Sequence, residues 1–99
     1  MNLTFPCTLT IEVTQEDIDR GLPRNCGHCP VALAVMRATG FEEVYVSAWS
    51  MQLYRKGSYV PGGSALTPKE AAGFIDAFDG RGACPEPFSF TVDFKAVQP

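Results

Sequence analysis

The two thiols of the segment Cys26-Gly27-His28-Cys29 lie three residues apart, and the single histidine of the chain stands between them. Thiol–disulfide exchange uses such a pair, because one thiolate attacks a disulfide and the other thiol resolves the product. The attacking thiol works best at a helix N-terminus, where the helix dipole lowers its pKa. Pro30 is typical of the first residue of a helix, so we expect the helix to begin after Cys29 and to leave Cys26 outside.

These four residues also resemble the redox motif of the disulfide-isomerase branch of the thioredoxin family. Residues 22–25 depart from that family, because they contain Pro23 and Asn25 and do not form a strand ending in an aromatic residue. We therefore predict structural cysteines that stabilise the start of the helix by packing, reduced and free of metal. A thiol–disulfide oxidoreductase using Cys26 and Cys29 remains an alternative.

A C-x-x-C pair is also half of a structural zinc site, which needs four ligands. The sequence contains no second pair at similar spacing, so we predict no metal and no cofactor. The fold predicted below brings Cys84 towards the motif, so a metal site, if present, would use Cys26, His28, Cys29 and Cys84. A small zinc-binding module therefore stays open as an alternative.

The elements that must position these residues follow from polarity patterns. Alternation of apolar and polar residues predicts four strands, and helical signals predict two helices. The strands are expected at 8–13, about 43–48, 51–56 and 88–94, and the helices from Pro30 to Gly40 and from Thr67-Pro68 to Gly80 or Gly82. Thr14 is expected to cap a short helical turn, and residues 57–66, with three glycines and a proline, are expected to form a long loop.

This order of elements predicts an α+β fold. We expect a ferredoxin-like βαββαβ sandwich, in which a four-stranded antiparallel sheet carries two helices on one face. The length of 99 residues and the hydrophobic content of 45% fit a single domain over residues 1–99.

Three aromatic residues are predicted to lie on the sheet face away from the helices. If the branched residues of the second and third strands face the core, Tyr45, Trp49 and Tyr54 project from the other side. Exposed aromatic patches mark contact surfaces, so we predict that these three residues bind a partner. The net charge of -3 makes nucleic acid an unlikely partner, and a nucleic-acid-binding module stays only as an alternative.

Four strings in the sequence resemble a group of phage proteins. They are VTQEDIDRG at 13–21, C-x-x-C-P-V-A-L-A at 26–34, F-I-x-x-F-D at 74–79 and EPFSF at 86–90. In combination they resemble small cytosolic proteins encoded by tailed phages of actinobacteria. The resemblance implies a phage origin and action in the host cytosol, and it carries over no catalytic residues.

The function predicted from the sequence is that of a non-enzymatic interaction module. No apolar run of 18 residues occurs, and the first ten residues lack a basic stretch before an apolar one, so we expect neither a membrane span nor a signal peptide. The expected location is the cytoplasm. The expected partner is a host or phage protein, or a second copy of the chain.

Overall fold

Five strands and three helices make up the part of the chain that the structure describes. The computed structural model describes residues 7–22, 25–81 and 86–94. In chain order the elements are β1 (Cys7–Val13), α1 (Gln15–Arg20), α2 (Pro30–Thr39), β2 (Glu43–Val46), β3 (Ser50–Arg55), β4 (Ser58–Leu66), α3 (Lys69–Arg81) and β5 (Phe88–Phe94). The predicted α+β class is confirmed.

The strands form two antiparallel sheets. In one, β1 pairs with β5, so that Cys7 lies opposite Phe94 and Val13 opposite Phe88. In the other, β3 lies between β2 and β4. Strands β4 and β5 contact each other, so the two sheets are neighbours. The predicted ferredoxin-like βαββαβ order is corrected here, because the described chain has one more strand and one more helix and divides its strands between two sheets.

The additional strand, β4, occupies the segment that was predicted to be a loop. Lys56 and Gly57 have φ angles of 50° and 80°, the left-handed conformation of the tight turn that joins twisted antiparallel strands. The pairing of β3 with β4 then shifts register between Gln52 and Tyr54. At Gly63 a Cβ atom would lie 2.9 Å from the Cβ of Leu53. Glycine here permits close packing within a strand and does not mark a loop.

Helices α1 and α2 begin at the residues that the sequence predicted to start them, whereas α3 begins at Lys69 and the Thr67 hydroxyl donates to the Ser47 carbonyl at 2.7 Å. The Thr14 hydroxyl accepts from the Asp17 N–H at 3.3 Å, and the Asp17 carboxylate accepts from the Thr14 N–H at 2.9 Å. These two bonds form a capping box. Helix α2 starts at Pro30 and stops at Gly40, whose φ of 80° is left-handed as predicted.

The core lies between the sheets and helices α2 and α3. Helix α2 contacts both β1 and β2, and α3 joins β5 through ring stacking of Phe74 on Phe88, with centroids 4.8 Å apart. Most of the strand residues predicted to face the helices are buried: Ile11, Val13, Val44, Val46, Leu53, Phe90, Val92 and Phe94. Within the described ranges, no helix has the length and apolar character needed to cross a membrane.

Candidate functional site

The turn that carries the two cysteines is anchored by backbone hydrogen bonds. The His28 N–H donates to the Asn25 carbonyl at 3.1 Å, and the Asn25 side-chain oxygen accepts from the Gly27 N–H at 3.1 Å. The Val46 N–H donates to the Cys26 carbonyl at 2.8 Å, which ties the turn to the end of β2. The turn is therefore held both by hydrogen bonds within itself and by a hydrogen bond from β2, which lies further along the chain.

Cys29 is the N-cap of α2. Its side chain is buried, and its Sγ accepts from the Ala32 N–H at 3.4 Å. Burial raises the pKa of Cys29 above its usual value, and the negative charge of Asp79 adds to the increase, although the backbone N–H groups of Ala32 and Val31 act in the opposite direction. Cys29 is thus a protonated thiol at neutral pH. It stabilises the start of the helix, as predicted, through a hydrogen bond as well as by packing.

Cys26 has a different environment, because it is exposed. Both thiols line a cleft of about 490 Å³, hereafter the cysteine cleft. Its walls come from the turn (Asn25, Cys26, Cys29), from residues 46–48 and from α3 (Ile75, Asp76, Asp79, Gly80). The prediction that Cys26 also stabilises the helix start by packing is therefore wrong, since this side chain faces solvent.

Three of the four residues that a metal site would use, Cys26, His28 and Cys29, lie in the part of the chain that the structure describes. His28 is exposed, and its Nδ1 lies 3.3 Å from the side-chain oxygen of Asn25. Cys84 lies outside the described residues. Among the residues that are described, no group of three or more His, Cys, Asp or Glu side chains could hold a metal ion.

The outer side of the three-stranded sheet presents three tyrosines in contact. Cross-strand partners share a face, and the register pairs Tyr45 with Gln52 and Tyr54 with Tyr59. The rings of Tyr45 and Tyr54 meet edge to face with centroids 5.2 Å apart, and those of Tyr54 and Tyr59 do so at 5.9 Å. We call Tyr45, Tyr54 and Tyr59 the tyrosine face.

Two side-chain contacts fix one end of the tyrosine face. The Tyr45 hydroxyl donates to Glu43 Oε2 at 3.1 Å, while Glu43 Oε1 accepts from the Gly57 N–H at 2.8 Å. The hydrogen bond to Glu43 and the charge of that carboxylate raise the pKa of Tyr45, so its phenol stays neutral. The Tyr45 ring also lies against Gly27, where an added Cβ would be 3.3 Å from a ring carbon. The tyrosine face therefore adjoins the cysteine turn.

Trp49 does not continue β2 as predicted, because it lies in the turn between β2 and β3. The strand ends at Val46, since the Ser47 hydroxyl accepts from the N–H groups of Trp49 and Ser50 at 3.1 and 3.2 Å. The Trp49 carbonyl accepts from the Thr67 N–H at 3.1 Å. The backbone is thereby held in place while the indole side chain, 80% exposed, points into solvent.

Two exposed residues of β4 that were not predicted from the sequence lie on the same side of the sheet as Tyr54. Tyr59 completes the tyrosine face, and Leu66 lies opposite Ser50 with 83% of its surface exposed. Both belong to the segment predicted to be a loop. The alternation of Tyr59 with Val60 was the available signal, and the nearby glycines obscured it.

No family model matches the chain, and neither a curated protein nor a solved structure matches it. The resemblance to phage proteins therefore stays a prediction. Function has to be inferred from the two surfaces described above, the cysteine cleft and the tyrosine face.

Proposed function

We propose that this protein is a non-enzymatic interaction module that binds another protein through the tyrosine face, Trp49 and Leu66. The observation that carries the proposal is the combination of three tyrosines, in which Tyr54 contacts both of the others, with a tryptophan and a leucine that are 80% and 83% exposed. A large apolar side chain gains nothing from exposure to water. Burial of these side chains against a partner would gain the free energy of removing their apolar surface from water.

The residue types suit an interface. Tyrosine and tryptophan offer a large apolar area with a polar group and only two side-chain torsions, so ordering them on binding costs little entropy. Tryptophan and tyrosine are also among the residues that most often dominate binding energy. The opposite side of this sheet is already buried by Val44, Met51 and Leu53, so the fold does not need the tyrosine face for its core.

Charge favours a different protein over a second copy or a nucleic acid. The chain carries a net charge of -3, so two copies repel each other and a phosphate backbone is disfavoured. We therefore propose a partner with a neutral or basic surface around an apolar centre. The resemblance to phage proteins adds the proposed context, in which the partner is a host or phage protein in the host cytosol.

The test combines capture with direct binding. A protein captured from host lysate is purified and titrated by calorimetry against the native chain and against the double variant Trp49→Ala, Tyr54→Ala. We expect the double variant to weaken binding at least about tenfold, with a thermal midpoint close to that of the native chain. Leu22→Ala, which truncates an exposed apolar residue before the cysteine turn, serves as the matched control and should bind normally.

Four results would contradict the proposal. Unchanged binding by the double variant would place the interface elsewhere. A large fall in its thermal midpoint would show that these side chains stabilise the fold. A dimer detected by sedimentation velocity, or binding to a single-stranded oligonucleotide, that disappears in the double variant would show that the occupant is a second copy or a nucleic acid.

A further inference from the structure

The two thiols of the cysteine cleft have complementary environments. Cys26 is exposed and can meet a reagent in solution, whereas Cys29 is buried and cannot. Both line the same cleft, and the charge of Cys26 is the smallest of the causes that act on the raised pKa of Cys29. In thiol–disulfide exchange an accessible thiol attacks a disulfide, and a second thiol of the same protein can then resolve the mixed disulfide.

We propose that Cys26 and Cys29 form a thiol–disulfide exchange site for small-molecule disulfides, with Cys26 as the attacking thiol and Cys29 as the resolving thiol. The exchange is a stoichiometric oxidation of the protein's own dithiol and not a catalytic turnover, so it is compatible with the non-enzymatic binding role proposed above and does not depend on it.

The local backbone favours a bond between the two sulfur atoms. A disulfide spans Cα atoms about 4.4–6.8 Å apart, and the hydrogen-bonded turn from Asn25 to His28 bends the chain between Cys26 and Cys29, which are three residues apart. The turn is held by the Asn25 side chain and by the hydrogen bond from the Val46 N–H to the Cys26 carbonyl. Formation of the disulfide would therefore require little further ordering of the backbone. Bond formation therefore has a small entropic cost.

Helix α2 assists the resolving thiol. The Ala32 N–H already points at Cys29 Sγ from 3.4 Å, and the N-terminal end of a helix stabilises negative charge. When Cys29 loses its proton, the same N–H group stabilises the thiolate. At rest, burial keeps Cys29 protonated and protects it from external reagents.

The reaction balances in two steps. The Cys26 thiolate attacks one sulfur of the disulfide RSSR, a Cys26–SR bond forms, and the RS–SR bond breaks with its electron pair leaving on RS⁻. Cys29, after losing its proton to solvent, attacks Cys26 Sγ and displaces the second RS⁻. The two thiolates take up the two protons that the cysteines released, so RSSR is reduced to two RSH while the dithiol becomes a disulfide.

The probe is oxidised glutathione, added to the reduced full-length chain at neutral pH. Samples are blocked with N-ethylmaleimide at intervals, and intact mass and peptide mapping identify the products. The native chain should gain a Cys26–Cys29 disulfide without retaining glutathione. Cys29→Ser should stop at the mixed disulfide on Cys26, whereas Cys26→Ser should form products at this site at least about tenfold more slowly, because Cys29 is inaccessible.

The half-buried Cys7 of β1 supplies the matched control, and Cys7→Ser should behave as the native chain does. Persistent glutathione on Cys26 of the native chain would overturn the proposal, because it would show that Cys29 does not resolve. So would a disulfide from Cys26 to Cys84, or no reaction at all. The variant Cys26→Ser should keep its protein-binding affinity, so failure of this proposal and failure of the binding proposal can be told apart.

Discussion

At the scale of single residues, the buried carboxylate of Asp17 accepts three hydrogen bonds. Two Arg37 nitrogens donate to it at 2.6 and 2.9 Å, and the Thr14 N–H donates at 2.9 Å. Arg37 also donates to the Glu12 carbonyl at 2.7 Å. A single ion pair thus joins the end of β1, the start of α1 and the last turn of α2.

This ion pair predicts a pH dependence of stability. Burial by itself raises the pKa of Asp17, but the hydrogen bonds from Arg37 and Thr14 outweigh burial and hold that pKa below its usual value. A carboxyl with a lowered pKa stabilises the folded state above its unfolded pKa of about 3.9, and this stability is lost as pH falls through the folded pKa. The native chain should therefore lose stability as the pH falls below about 4.

Removal of the guanidinium tests this interpretation. Arg37→Met should lower the free energy of unfolding at neutral pH by about 1–3 kcal/mol, because it leaves a buried carboxylate short of partners, and should flatten the acid dependence. Urea unfolding at neutral and acid pH measures both effects. Arg20→Met is the control, since its pair with Glu16 spans 3.6 Å with both side chains 73% exposed. Equal losses in the two variants would contradict a special role for Asp17.

At the scale of elements, β4 depends on glycine where β3 and β4 approach closely. A methyl group at Gly63 would lie 2.9 Å from both the Leu53 Cβ and the Val60 carbonyl oxygen, neither of which can move freely. Gly73 has the opposite setting, because a methyl group there meets nothing within 4 Å on α3. The same substitution should therefore have opposite effects in the two elements.

Two glycine variants test this difference. Gly63→Ala should reduce the free energy of unfolding by about 1–3 kcal/mol through overpacking. Gly73→Ala should increase it by about 0.5–1 kcal/mol, because alanine has the higher helix propensity. Thermal and urea unfolding of both variants provide the measurement. If Gly63→Ala left stability unchanged, residues 58–66 would not form the paired strand described here.

At the scale of the whole molecule, the single tryptophan reports on the surface and not on the core. Trp49 is 80% exposed, so its emission in the folded chain should be close to that of the unfolded chain and should be strongly quenched by acrylamide. Far-ultraviolet circular dichroism should follow unfolding where tryptophan emission does not. Binding of the proposed partner should shift the emission to shorter wavelength and reduce quenching, because the indole leaves water.

The same probe distinguishes a second copy from a different partner. Emission that stays constant as the concentration of the free protein rises is the expected result. A shift to shorter wavelength that depends on concentration would mean that the chain buries Trp49 against itself, contrary to the proposed partner. The emission of Leu22→Ala should match that of the native chain in both states.

Local signals in the sequence predicted the elements whose causes lie within a few residues. Alternation predicted β1 and β5, Thr14 predicted the start of α1, and Pro30 and Gly40 predicted the two ends of α2. The buried side of the strands followed as well, because alternation assigns each residue to a face. Tyr45 and Tyr54 were therefore placed on one face of the sheet before any contact was known.

Tertiary structure decided what depends on residues distant in sequence. The glycines in residues 58–66 predicted a loop. The structure shows a strand, in which Leu53 lies so close to Gly63 that a side chain there would not fit. Tyr59 joined the tyrosine face only through its pairing with Tyr54. The two cysteines differ because Cys29 is buried whereas Cys26 is exposed. Helix α3 forms one wall of the cleft that both of them line. Burial of this kind arises from packing between elements, which no local sequence pattern encodes.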